Sequence, residues 1–333
     1  VQRRKGTVGG MVTLYHILDG KLVRTPWLLG SALPERLVWA DIMEPSTDEE
    51  HSLEALLGLD LPTRAEMREI EVSSRLYEVD GARFMTATVV SKADTPLAEA
   101  GAITFVMANH VLVSLRYSDP LAFTIFAARA LKLPGQCESG ETALAGLIEA
   151  IIDRAADVLE NVATEMDTLS RNVFRSKIND GDSVDLEEAL RSLGRFDDLT
   201  GKVRESLASI ERVVSFLTQV LAPEVKKDYR ARLKTMARDI RSIAEHASAL
   251  AQKVNFLLDA TLGMINIEQT RVIKILSVGA TVFLPPTLMA SIYGMNFEVM
   301  PELHWDFGYP MAIVLMIVSA VLPYFYFKRK GWL

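Results

Sequence analysis

Cysteine is nearly absent: Cys137 stands alone, which excludes an internal disulfide and a multi-thiolate zinc site and fits a reducing compartment. Histidine is sparse too. His16, His51, His110, His246 and His304 are scattered, with no HExxH string and no pair at i,i+4, so a high-affinity transition-metal cage is not expected. No GxxxxGK[ST] string occurs, so no P-loop couples the chain to ATP hydrolysis. A basic excess is also missing. The formal net charge is -7, and a solvated acidic surface of this kind gives no reason to expect nucleic acid as a partner. No constellation reads as catalytic, and the chain is expected to be neither an enzyme nor the carrier of an organic cofactor.

What the chain does have is two long uncharged apolar runs. Ile275–Tyr293 and Phe307–Phe327 contain no Asp, Glu, Lys or Arg, and each is close to the ~20 residues that cross a bilayer core as a helix. Joined by a short polar turn, they predict a transmembrane hairpin embedded in lipid. Roughly 270 residues come before the first run, enough for a soluble domain with its own core. Arg271 and Lys274 flank the first run and Lys328-Arg329-Lys330 closes the second, whereas the joining segment has Glu298, Glu302 and Asp306 but no Lys or Arg. The positive-inside rule then puts both termini in the cytoplasm, the loop outside, and the chain as a multi-pass protein in the inner or plasma membrane. The start, VQRRKGTVGG followed by MVTLYHILDG, has a short apolar run broken by Thr13, His16 and Asp19, and no cleavable signal is expected. Residues 1–10 read as an upstream extension or an expression remnant.

Residues 11–133 alternate short strand patterns with turn signals: MVTLYHIL, Asp19-Gly20, KLVR; SRLYEV, Asp80-Gly81, ARFMTATVV; and AITFVMA, Asn109, VLVSLRY. These predict hairpins. With helical patterns at Asp48–Leu57 and Pro120–Leu131, the segment is expected to be an α/β or α+β domain whose sheet is largely antiparallel or mixed. PGQCESG marks its end. Residues 141–271 then read as a helical stalk region. Leu144, Leu147, Ile148, Ile151, Ala155, Val158, Val162, Met166, Leu169 and Val173 fall at helical spacing to about Ser176, and INDGDSV ends that helix. A second helix is expected over Asp185–Leu221. A third starts at Pro223 and continues without a break into the first membrane run, to about Tyr293. The remaining divisions are a first span over 272–293, an outer loop over 294–306, a second span over 307–327 and a basic tail over 328–333.

In steps of three and four from Gly294, the first span and its approach place Ser291, Thr287, Leu284, Ala280, Ser277, Ile273, Thr270, Asn266, Gly263 and Asp259 on one face, mostly small or hydroxylated. Polar atoms inside a membrane face a bundle interior or water more often than lipid. On its own such a face fits close packing of helices; taken with Gly294-Met295-Asn296 at its outer end it reads as a path lining, with Ile273, Leu284 and Leu276 as apolar constrictions. One chain with two spans cannot enclose a path, so a homo-oligomer is expected. Pro285-Pro286 deprives the helix of two amide donors and frees the carbonyls of Thr281 and Val282.

Tyr293-Gly294-Met295-Asn296 followed by FEVMPELHW, the FLPPT of the first span and the closing YFKRKGWL together resemble the CorA-type magnesium and cobalt transport family, whose signature is Gly-Met-Asn. The resemblance is tight from about Leu257 onward and architectural before that. It implies a pentamer with the first span inside and the second outside. It also implies transport of Mg2+, with Co2+ and possibly Ni2+ as passengers, and a second, regulatory Mg2+ site whose residues it does not place here. Asn296 is then the ion-contacting residue. Mg2+ gives up its water reluctantly, so a ring of neutral amide oxygens that hydrogen-bond to coordinated water suits it. Gly294 is expected to free the backbone at the helix end, Met295 to pack behind the ring, and Glu298 and Glu302 to raise the local cation concentration by their field. Asp259, in LLDATL, matches a family position at the cytoplasmic mouth. The zinc-transporting branch has Val where this chain has Met295, which favours Mg2+. The implied mechanism is passive, potential-driven uptake closed by internal Mg2+. The alternatives are a zinc or cobalt transporter, possibly proton-coupled or working in efflux, and a non-conducting membrane-anchored coiled-coil scaffold. Asp153, Asp157, Glu160, Asp197 and Asp198 are the acids available for a regulatory site.

Overall fold

A computed structural model describes residues 11–133, 135–175, 185–220, 227–296, 298 and 300–332. The expected extension over 1–10, the INDGDSV loop and the proposed helix start at Pro223 lie outside them. The chain divides into two compact units, Val1–Leu257 and Leu258–Leu333.

The first unit is built on a seven-stranded sheet of order β2-β1-β3-β7-β6-β5-β4. The strands are β1 (Met11–Leu18), β2 (Lys21–Pro26), β3 (Leu37–Met43), β4 (Leu76–Val79), β5 (Ala82–Ser91), β6 (Glu99–Ala108) and β7 (Val111–Arg116). Two-residue turns close three hairpins, with registers Leu18↔Lys21, Val79↔Ala82 and Ala108↔Val111. Both central residues of each turn have positive φ, at Asp19-Gly20, Asp80-Gly81 and Asn109-His110. That backbone matches the twist of the strands it joins, and Asp, Asn and Gly tolerate it best. β3 and β7 run parallel, so the sheet is mixed.

Period-2 alternation sends the two strand faces into different layers. Val12, Leu14, Ala40, Ile42, Val113 and Leu115 join Leu53, Leu61 and Met67 in one core, under α1 (Thr47–Leu57). Ser46 and Glu49 close a capping box at the start of α1, and Gly58 ends it in a left-handed conformation. The short α2 (Val72–Arg75) leads into β4. On the opposite face Trp39 stacks on Tyr15 at 4.2 Å and meets Phe123 and Phe126 of α3 (Leu121–Lys132).

The same face holds Asp41, whose carboxylate accepts from Ser114 Oγ at 2.9 Å and from Arg116 at 3.0 and 2.9 Å, while Trp39 Nε1 donates to Ser114 Oγ at 2.8 Å. The sequence reading did not single out this network. Its only trace was one charge inside each of two apolar strands, LVWADIM and VLVSLR.

α4 (Gly140–Arg175) and α5 (Leu186–Val220) follow, and the apolar positions read from the sequence of α4 are buried along its length, save the half-buried Leu169. Contact at the start of α4 is close. Gly140 donates its amide to the His110 carbonyl at 2.7 Å, and a Cβ there would sit 2.6 Å from that oxygen. A Cβ at Gly146 would lie 2.3 Å from the Phe126 ring. Where β4 no longer pairs with β5, Ser209 of α5 accepts from the Thr88 amide at 2.9 Å and lies 3.0 Å from its carbonyl oxygen, satisfying strand groups that would otherwise lack partners.

α6 (Lys227–Tyr293) is a single helix that continues through Pro285 and Pro286. In the first unit its buried residues include Leu233, Met236, Ile240, Ala247, Leu250 and Val254. Arg232 forms a bidentate pair with Glu149, Arg241 bonds Glu211, and Lys253 bonds Asp167. Of the basic stretch YRARLKTMARD near the start of α6, Arg232 answers an acid of α4, while Arg241 just beyond it and Lys253 further along the helix answer acids of α5 and α4.

The second unit comprises the rest of α6, a 3-10 turn over Pro301–His304 and α7 (Gly308–Arg329). Both helices are long and apolar enough to cross a membrane. α7 runs two residues past the apolar run that predicted it.

Candidate functional site

Along α6 from Asp259 outward, Asp259, Asn266, Thr270, Ile273, Leu276, Ser277, Ala280, Leu284, Thr287 and Ser291 are all exposed in the single chain, and Gly263 is half-buried. Ile273, Leu276 and Leu284 keep 63%, 67% and 67% of their surface, an exposure of large apolar groups that water alone would not favour. Val278 is a buried exception, off the stripe.

The threonines of this segment have a definite polarity. Thr270 donates to the Asn266 carbonyl at 2.8 Å, Thr281 to that of Ser277 at 2.8 Å and Thr287 to that of Phe283 at 2.7 Å. Each hydroxyl hydrogen is used inside the helix, and the oxygen lone pairs are left to accept. Pro285 and Pro286 have no amide hydrogen, so the carbonyls of Thr281 and Val282 lack their usual helical donors. All of these groups are acceptors.

At its outer end α6 tightens. Gly294 donates to the Ala290 carbonyl at 3.0 Å and Met295 to that of Ile292 at 3.2 Å, after which Asn296 leaves the helix. Gly294 is not among the left-handed glycines. A Cβ at 294 would lie 3.0 Å from the Ala290 oxygen. Met295 is about half exposed. Asn296 is exposed and its amide has no partner among the described residues. Glu298 is also exposed, while Glu302 lies within the 3-10 turn, where only its backbone is described.

At the other end of the unit, Lys274 lies 6.0 Å from the Trp332 ring centroid, a contact the sequence reading missed. The five acids considered for a regulatory site are not gathered: among the described residues no group of three or more His, Cys, Asp or Glu could hold a metal. Asp198 instead bonds Lys202 at 2.6 Å.

A mixed-sheet domain followed by a pair of membrane-length helices is the frame of this chain, and its family makes it a membrane ion transporter rather than an enzyme. The chain belongs to the family described as CorA-like Mg2+ transporter protein, which matches residues 34–329. Among its relatives is the magnesium transport protein CorA of Pectobacterium atrosepticum, 40% identical over 297 residues, covering 89% of this chain and 92% of that protein. The CorA protein of Escherichia coli strain K12 is 40% identical over 296 residues, with 89% and 92% covered. The fold is similar to the complete structure of the CorA magnesium transporter from Methanocaldococcus jannaschii, with a TM-score of 0.73 at 18% identity, covering 98% of this chain and all of that one. It is also similar to the full-length CmaX protein, with a TM-score of 0.67 at 16% identity and 99% of this chain covered.

Proposed function

We propose that the chain is a Mg2+ uptake channel of the inner or plasma membrane. Five copies of α6 enclose a hydrated path, α7 lies outside them, and both termini are cytoplasmic. The observation that carries this reading is the exposed, acceptor-rich face of α6, followed by Asn296, whose amide has no partner among the described residues. The relatives' assignment to magnesium transport supports the choice of ion.

Coordinated water on Mg2+ donates hydrogen bonds outward, so a hydrated ion is matched by acceptors. Asn296 oxygens at the outer end meet it first, with Glu298 and Glu302 supplying field. The lone pairs of Thr287 and Thr270 continue the acceptor lining, while Leu284, Leu276 and Ile273 narrow it with apolar collars. Asp259 attracts the ion at the inner mouth. Co2+ and Ni2+, of similar charge and size, are further cargo. No thiolate or imidazole lies on the stripe to select a softer metal.

The driving force is the membrane potential, about 2.3 kcal/mol per elementary charge per 100 mV, so a divalent ion gains about 4.6 kcal/mol, an accumulation on the order of a thousandfold. The test is Mg2+ uptake by the purified protein in liposomes under a set diffusion potential. Uptake should follow an inside-negative potential and stop when it is abolished. Liposomes that stay tight to Mg2+ at every potential would favour the scaffold, and preferred uptake of Zn2+ in competition would change the ion.

A further inference from the structure

α7 ends in a fully formed cap. Gly331 has φ of 70°, its amide bonds the Lys328 carbonyl at 3.2 Å, and the Trp332 amide bonds the Phe327 carbonyl at 3.1 Å. These are the two hydrogen bonds of a Schellman motif, with its accompanying apolar contact between the Phe327 and Trp332 rings at 5.3 Å. Gly331 is needed because an L side chain is strained at that φ. The turn folds Trp332 back along α7 and sets its ring against Lys274 of α6.

Cations from two helices are thereby brought to one end of the hairpin. Lys274 sits over Trp332, Lys328 over Tyr324 at 5.9 Å and Lys330 over Tyr326 at 5.9 Å, each ammonium on an aromatic face. Arg271 and Arg329 add two more charges. None of these five forms an ion pair among the described residues, and the acid nearest to Lys274 along α6 is Glu268. A set of unpaired cations with an aromatic belt, at the end of two membrane-length helices, is complementary to an anionic phosphate at the level of the lipid headgroups.

We infer that Lys274, Lys328, Lys330 and Trp332 form a binding site for an anionic phospholipid headgroup of the cytoplasmic leaflet, with Trp332 positioning Lys274 for it. The inference rests on α6 and α7 lying in a bilayer, not on the path within the pentamer. Trp and Tyr rings hold the ammonium groups at headgroup depth, the cap occupies the Tyr326, Phe327 and Lys328 carbonyls, and the lipid phosphate supplies the countercharge.

The probe is phosphatidylglycerol against phosphatidylcholine, added to the detergent-purified full chain and counted as retained lipid by native mass spectrometry. Phosphatidylglycerol should be retained preferentially. Its affinity should fall roughly fivefold for each cation removed in Lys274→Gln, Lys328→Gln and Lys330→Gln. Trp332→Phe should keep the preference and Trp332→Ala should lose the share contributed by Lys274, so that Lys274→Gln has no further effect in that background. Equal retention of the two lipids, undiminished phosphatidylglycerol binding in the triple Gln variant, or displacement by millimolar inorganic phosphate would overturn the assignment. Asn296→Ala, silent in flux, should bind the lipid normally. A wild-type chain that binds phosphatidylglycerol yet carries no Mg2+ would sink the transport reading and leave this one standing.

Discussion

Asp41 and Arg116 face each other across the parallel pair β3–β7 through two hydrogen bonds of 3.0 and 2.9 Å, with only 9% and 7% of their side chains exposed. Removing Asp41 takes two hydrogen bonds from the buried Arg116 and leaves it the exposed Asp119 carboxylate at 2.7 Å and the Ser118 carbonyl at 2.9 Å, an effect of up to about 3 kcal/mol. Asp41→Ala should therefore lower the thermal unfolding midpoint of the full chain steeply. Replacing both residues by apolar ones of similar volume should recover most of the loss. A midpoint unchanged in Asp41→Ala would mean that the pair is not structurally important.

Asn296→Ala is expected to abolish Mg2+ uptake while the oligomer, judged by size-exclusion elution, stays intact. Among the described residues the amide has no partner to lose, so folding gives no reason for damage. Ordinary uptake by the variant would remove Asn296 from the ion path.

Cysteines at Asn266, Thr287 and Ser291 should react with small water-borne thiol reagents, and those at Val314 and Val318 of α7 should not. The native Cys137 is buried, and burial pushes its thiol up to about 12, so it should react little. A Cys137→Ser background removes even that signal. Equal labelling of both sets would reject the placing of α6 inside and α7 outside.

Burial pushes the Glu141 carboxyl up, but hydrogen bonds from Ser139, from His110 at 2.6 Å and from its own amide, with the nearby His110 charge, outweigh it and leave the group below its ordinary value of 4.5. A carboxylate with a depressed folded-state value contributes stability above its unfolded value and loses it as pH falls through the folded one. Glu141→Gln should therefore lower the unfolding midpoint at pH 7. The gap to the wild type should narrow below about pH 4. A gap that widens in acid would contradict the sign of the shift.

Raising Mg2+ on the cytoplasmic side from micromolar to tens of millimolar should reduce current in inside-out patches beyond what the changed driving force explains. An ion can bias the open–closed equilibrium only by its differential affinity for the two states. Current that never declines would mean that internal Mg2+ does not close the channel.

Sequence made the local structure legible wherever chemistry and geometry are tied within a few residues. The hairpins at Asp19-Gly20 and Asp80-Gly81 follow from the few residues that accept positive φ, and α4 follows from the 3.6-residue spacing of Leu144 to Val173. Contacts between distant segments were not legible. The parallel pairing of β3 with β7, the Asp41–Arg116 pair and the answering charges of Lys253 and Asp167 each join residues whose separation leaves no periodic trace. At the candidate site, the α6 stripe was readable as a pattern and Gly294 as a signature. The nearness of the Ala290 oxygen to that glycine needed coordinates. In the proposed assembly, which stripe residues would meet the ion depends on neighbouring copies, a relation that one chain's pattern does not encode.

The close approaches at Gly140 and Gly146 leave no room for sliding. With the start of α4 wedged against the His110 carbonyl and the Phe126 ring, α4 cannot rotate or shift by even a methyl radius without moving β7 and α3. Packed interiors transmit displacement of this kind instead of absorbing it. The β6–β7 turn is thus a handle on α4: a spectroscopic label at Asn109 would register any movement of that helix, and a ligand that grips the turn would restrain it.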